Sequence, residues 1–81
     1  MIWDVEFSQT ASNYAIDSHP YNENLLIAIE ELAFSPDGLP NQSVYQILGN
    51  WCIWEIAGHT VAYEKTPALF HIYIWMIKPM A

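Results

Sequence analysis

The sequence predicts an α+β domain in which an antiparallel sheet packs on two N-terminal helices, in the order β-α-α-β-β-β-β. Three observations lead there. Residues 2–7 read Ile-Trp-Asp-Val-Glu-Phe, alternating at the period of two that marks a half-buried strand. Residues 20–34 carry Leu25, Leu26, Ile29, Leu32 and Ala33 at the three-and-four spacing of an amphipathic helix. From residue 43 onward, four apolar runs are separated by short turn signals, and strands joined so closely pair antiparallel.

In the first strand Asp4 and Glu6 share one face, and Trp3, Val5 and Phe7 share the other. Ser8 is placed to cap a first helix, with Ala11, Tyr14 and Ala15 as its apolar stripe. Ser18-His19-Pro20 ends that helix, because the residue before a proline avoids helical geometry. Pro20 suits the first turn of the second helix, whose Glu23, Glu30 and Glu31 lie on the solvated side. Ser35-Pro36-Asp37-Gly38 stops it with turn chemistry. Strands are then expected over 43–48, 51–56, 60–65 and 69–77, with Gly49-Asn50, Ala57-Gly58-His59 and Thr66-Pro67-Ala68 as the turns between them.

The chain has 81 residues, enough for one domain spanning 1–81 with one modest core. Cys52 is its only cysteine, so no internal disulfide adds stability, and a lone thiol in an apolar run fits a reducing, cytoplasmic setting. His19, His59 and His71 are scattered without metal-ligand spacing, and no glycine-rich phosphate loop occurs, so neither a metal nor another cofactor is expected. No apolar run approaches the roughly 20 residues that a membrane-spanning helix needs. The N-terminal residues lack the basic and apolar regions of a signal peptide. Self-association is the remaining common route to extra stability for a domain this small.

Charge is the most informative total. Nine acids face two bases, Lys65 and Lys78, and there is no arginine, for a net charge of −7. Affinity for nucleic acid comes largely from cations that displace counterions from phosphates, and this chain has two. Its overall field repels a polyanion. Nucleic acid is therefore not an expected partner.

Several stretches resemble the RelE/ParE superfamily of toxin–antitoxin toxins. Residues 1–8, Met-Ile-Trp-Asp-Val-Glu-Phe-Ser, look like its opening strand. Ala28-Ile29-Glu30-Glu31-Leu32-Ala33 before Ser35-Pro36 is similar to the end of its second helix. Residues 54–64, Trp-Glu-Ile-Ala-Gly-His-Thr-Val-Ala-Tyr-Glu, followed by Ile72-Tyr73-Ile74, resemble its central hairpin, where Arg-Val-x-Tyr-Glu is usual. The resemblance implies the α+β fold already read from periodicity, and a protein partner of antitoxin type. In the members that cut mRNA on the ribosome it also implies strand arginines. Those positions align here with Ile53, Glu55 and Thr60, and the basic C-terminal stretch is reduced to Lys78. Clamping a phosphodiester needs cations there, so the resemblance implies a toxin-like member or a degenerate, non-nucleolytic one, with a ribosome-dependent mRNA interferase as the alternative that the charge disfavours.

Candidate sites follow from residue types. Histidine is the side chain most often used for proton transfer, so His59 and His71 are candidate acid–base groups, and Glu55 and Glu64 could pair as acid and base on the sheet. Each also reads as an ordinary turn or surface residue. The alternative to a binding protein is thus a small enzyme built on these four. Cys52 reads as a buried thiol, because little positive charge is available to activate it. In the third and last strands, counting by two sets Trp51, Ile53 and Glu55 on one face, with His71, Tyr73, Trp75 and Ile77. Phe70, Ile72, Ile74 and Met76 take the opposite face of the last strand. With helices on one side of the sheet, the aromatic set is left for a partner. Trp51, Ile53, Tyr73, Trp75 and Ile77 are therefore the expected partner-binding residues, and the expected occupant is an antitoxin-like peptide or a second copy of the chain.

Overall fold

The computed structural model describes residues 2–17, 23–40 and 44–79. The chain runs β1 (Asp4–Phe7), α1 (Gln9–Asp17), α2 (Glu23–Leu32), β2 (Val44–Leu48), β3 (Trp51–Ile56), β4 (His59–Thr66), a single 3-10 turn (Pro67–Leu69) and β5 (His71–Pro79). This is the predicted order. The strands form one sheet in the order β1-β5-β4-β3-β2. The pairs from β2 to β5 are antiparallel, and β1 lies parallel to β5. A parallel neighbour requires a crossover, and the two helices supply it, which leaves them on one face. The expected break at residues 18–20, the Pro20 start of α2 and the Ser43 start of β2 lie outside the described residues.

The inner face of the sheet and the apolar stripes of the helices make the core. Leu25, Ile29 and Leu32 of α2 and Ala11 of α1 are buried against Trp54, Val61, Tyr63, Ile72, Ile74 and Ile77. Glu23, Glu30 and Glu31 are exposed, as a 3.6-residue period requires. Ser8 caps α1 as its residue type predicts: its Oγ accepts the Ala11 N–H at 3.1 Å. The same hydroxyl donates to the Trp75 carbonyl at 2.7 Å, which ties the helix start to β5.

Strand boundaries shift from expectation for identifiable reasons. β1 starts at Asp4 because Trp3 is claimed by the loop after α2. Its backbone N–H donates to Ala33 O at 2.8 Å and its indole N–H to Ser35 O at 2.9 Å. β5 starts at His71 because residues 67–69 turn first and Phe70 adopts a left-handed φ of 49°. That conformation is unfavourable for a bulky side chain. Phe70 is held in it by its N–H bond to Pro67 O, by the Asp4 N–H on its own carbonyl, and by the Trp3 ring 5.2 Å away.

Gly38 is the one glycine the core itself demands. Its φ is +69°, and a Cβ there would come within 3.0 Å of the Trp3 ring. Its carbonyl accepts the buried Tyr63 hydroxyl at 2.9 Å. Burial pushes the Tyr63 phenol well above its ordinary pKa, which favours the protonated donor.

The largest departure lies in β5. Tyr63 pairs with Ile74 but Ala62 pairs with Met76, so Trp75 is an extra residue, a β-bulge. Alternation slips by one beyond it. Ile77 turns inward and is 3 % exposed, whereas Met76 turns outward at 38 %. The expectation that Ile77 belongs to the partner face and Met76 to the core is therefore reversed.

Candidate aromatic–acidic sheet face

Register fixes which side chains share the outer face, away from the helices. One row runs across all five strands: Leu48, Trp51, Glu64, Tyr73 and Glu6. The neighbouring row is Gln46, Ile53, Ala62 and Met76, and beyond it lie Val44, Glu55, Thr60 and Lys78. On the other side Thr66, His71 and Asp4 line up. Ala62 is small and sits between Ile53 and Met76, so the centre of the face is low.

The aromatic groups gather around one carboxylate. The Trp51 and Trp75 rings are 5.7 Å apart and tilted by 32°, although their residues lie on strands separated by β4. Tyr73 meets Trp75 edge-on at 4.6 Å, and His71 lies 6.3 Å from Tyr73. Glu64 stands between Trp51 and Tyr73 in the register, and its Oε1 is 3.4 Å from the Trp75 indole nitrogen. Trp75 points outward beside Tyr73 by plain alternation, and as the extra residue of the bulge it has no register partner on β4. Four of the five expected partner-face residues, Trp51, Ile53, Tyr73 and Trp75, thus lie on the outer face, and Ile77 does not.

The outer face carries four carboxylates, Asp4, Glu6, Glu55 and Glu64, against Lys78 alone. The second lysine points the other way. Lys65 Nζ donates to Asp37 O at 2.8 Å and sits 5.9 Å from the Trp3 ring centroid, on the helix side of the sheet.

The four candidate acid–base residues do not assemble. His59 opens β4 on the helix side, with Nδ1 2.8 Å from Ala57 O and Nε2 2.8 Å from the Tyr14 hydroxyl. A carbonyl can only accept, so Nδ1 is protonated, and in the neutral ring Nε2 accepts from Tyr14. Both ring nitrogens are occupied in tying α1 to the β3–β4 turn. Glu55 pairs with Thr60 and Glu64 with Trp51, four residues apart along β4, a separation of roughly 13 Å at strand rise. His71 Nε2 lies 3.6 Å from Glu6 Oε1, but Glu6 is 61 % exposed, so that pair contributes little. Among the described residues no three His, Cys, Asp or Glu side chains group as metal ligands.

Cys52 faces the core at 1 % exposure, and burial raises its thiol pKa. Iodoacetamide is expected to leave it unmodified in the folded protein at neutral pH and to alkylate it promptly in urea, as read by intact mass. Native labelling at the unfolded rate would contradict its burial.

A second concavity, of about 540 Å³, lies between α2, the loop over residues 34–40 and the inner side of β3, with Phe34, Pro36, Leu39, Trp54 and Ile56 on its walls. It holds none of the four candidate acid–base residues. Beside it, β2 is exposed along its whole length and carries Val44, Tyr45, Ile47 and Leu48 without a charged residue. An uncharged edge strand is a template for a further strand.

Sequence reasoning missed Leu48 and Met76 as members of the outer face. Leu48 follows from its pairing with Trp51 across β2 and β3, and Met76 from the bulge. No local pattern announces either.

No protein-family model and no curated protein matches the chain. Two solved structures do. The archaeal RelE–RelB complex from Pyrococcus horikoshii contains a chain that superposes with a TM-score of 0.75 at 18 % identity, over 98 % of this chain and 96 % of that one. A chain of the toxin–antitoxin complex RelBE2 from Mycobacterium tuberculosis superposes with a TM-score of 0.63, also at 18 % identity, over 100 % and 94 %. This chain therefore has the RelE-like α+β fold over nearly its whole length. Among the described residues no helix is long and apolar enough to cross a membrane.

Proposed function

We propose that this RelE-like chain works by binding protein through the outer face of its sheet, and that it does not cleave RNA. The occupant is an antitoxin-like peptide or a second copy. One observation carries the reading. Ile53, Glu55 and Thr60, the positions where the resemblance implies arginines, lie together on the outer face, with Glu55 directly opposite Thr60. A carboxylate there opposes a phosphodiester and cannot stabilise the charge that develops as it breaks. The face offers Trp51, Tyr73 and Trp75 instead, and aromatic residues dominate the energetics of protein interfaces.

Two further points support a protein occupant. The uncharged β2 edge can accept an added strand, and a chain docked there lies beside Leu48 and Trp51. The solved structures of this fold named above are themselves toxin–antitoxin complexes.

The test is expression together with the product of the neighbouring reading frame. Co-purification, lost on replacing Trp51 and Trp75 by alanine, is the expected result, with cellular transcripts intact when the chain is expressed alone. Transcript cleavage on expression would sink the reading, as would a strict monomer that recovers no partner.

A further inference from the structure

We infer that the Trp51–Glu64–Tyr73–Trp75 cluster is a receptor for a cationic side chain, and that the partner presents an arginine-bearing segment to it. This rests on the protein-binding reading above and names the chemistry of the occupant.

Glu64 is a half-buried carboxylate bordered by three aromatic rings, and among the described residues its one hydrogen bond to a side chain is the long 3.4 Å contact from the Trp75 indole. Among the described residues neither lysine is placed to pair with it. There is no arginine in the sequence, Lys65 is bonded on the helix side, and Lys78 lies beyond Ala62 at the far end of the face, opposite Thr60. A carboxylate among indole and phenol rings is the complement of a guanidinium. The π-faces attract the cation, and the carboxylate takes its paired N–H donors. Arginine suits this better than lysine, because its planar group stacks on an indole while donating in its own plane.

The cluster is also held in place before any partner arrives. Trp75 occupies the bulge, and its carbonyl is fixed by the buried Ser8 hydroxyl at 2.7 Å. Binding to preset side chains avoids most of the ordering cost.

Charge decides between possible occupants. A second copy brings a further −7 net charge and no arginine, so it matches neither the carboxylate nor the field of this face. Nucleic acid fails for the same reason. A basic protein segment meets complementary charge at Glu64 and, farther along the same face, at Glu6 and Glu55.

The experiment uses the whole isotope-labelled chain, titrated at low salt with a short serine–glycine peptide carrying a central arginine, and with its citrulline counterpart. Citrulline keeps the shape and removes the charge. The readout is the indole N–H resonances of Trp51 and Trp75, with those of the buried Trp3 and Trp54 as internal controls. The arginine peptide is expected to move the first pair saturably, and the citrulline peptide to bind about tenfold more weakly. Glu64→Gln is expected to weaken the arginine peptide about tenfold, whereas Glu31→Gln, an exposed acid on α2, leaves it unchanged. Equal loss in Glu31→Gln would reduce the effect to diffuse acidity and overturn the inference. No movement of the Trp51 and Trp75 signals with the arginine peptide overturns it as well. Equal, saturable binding of both peptides ends the arginine claim but leaves a protein-binding face. Failure of co-purification with any partner, by contrast, removes the reading beneath it.

Discussion

Replacing Trp54 with alanine is expected to destabilise the protein by about 3–5 kcal/mol, the usual range for emptying a buried aromatic site. Trp54 is 2 % exposed and sits at the centre of β3, between Tyr45 on β2 and Val61 on β4. Its ring meets Tyr63 edge-on at 6.3 Å, and the Tyr63 hydroxyl in turn holds the Gly38 carbonyl. Removing the indole therefore opens a void beside the residue that anchors the loop after α2. A domain of this length is stable by only about 5–15 kcal/mol, so much of the folded population is at risk. Urea unfolding measures the change directly. Trp54→Phe separates packing from polarity. It removes part of the ring volume, but it also removes an indole N–H that has no hydrogen-bond partner among the described residues. Its cost is expected to be about 1 kcal/mol, because losing an unsatisfied buried donor offsets lost contacts. An alanine variant as stable as the parent would mean that Trp54 does not hold the core together.

Periodicity made the core legible because each core position answers to a local rule. Leu25, Ile29 and Leu32 repeat at helical spacing, and Cys52 and Trp54 alternate with Trp51 and Ile53. Turn chemistry was legible for the same reason. At Ala57-Gly58 both residues have positive φ, 52° and 75°, as the tight two-residue loop between Ile56 and His59 requires. What the sequence could not show is non-local. The β5 bulge depends on Tyr63 and Ala62 of another strand, so counting by two runs correctly through Ile74 and then puts Met76 and Ile77 on the wrong sides. The parallel place of β1 beside β5 depends on the helical crossover rather than on any residue of β1. His59 reads as a solvated turn residue until α1 brings Tyr14 to it across 45 positions of sequence. The site was half legible. Its aromatic content and its missing cations are matters of composition and alternation. That Glu64 becomes the centre of the aromatic group is a matter of register.

That register bears on the largest functional effect expected of a surface change. Trp75→Ala is expected to weaken partner binding by about 2–4 kcal/mol, roughly thirty- to a thousandfold, while changing stability much less. The asymmetry follows from position. Trp75 is 44 % exposed, so its removal opens no interior cavity, and its backbone role survives because Ser8 bonds the Trp75 carbonyl rather than its side chain. Its ring nevertheless touches both other aromatics of the cluster, at 4.6 Å and 5.7 Å, and carries the N–H nearest Glu64. Truncation thus removes contact area and also releases Trp51, Tyr73 and Glu64 from their mutual positions. Calorimetry with the purified partner gives the binding loss, and urea unfolding of the same variant gives the stability. Met76→Ala is the matched comparison, since Met76 is similarly exposed at 38 % on the same face but lies outside the aromatic group. If binding followed exposed apolar area alone, the two variants would lose comparable affinity. A loss concentrated in Trp75 places the recognition in the aromatic group around Glu64, where cross-strand register has set it.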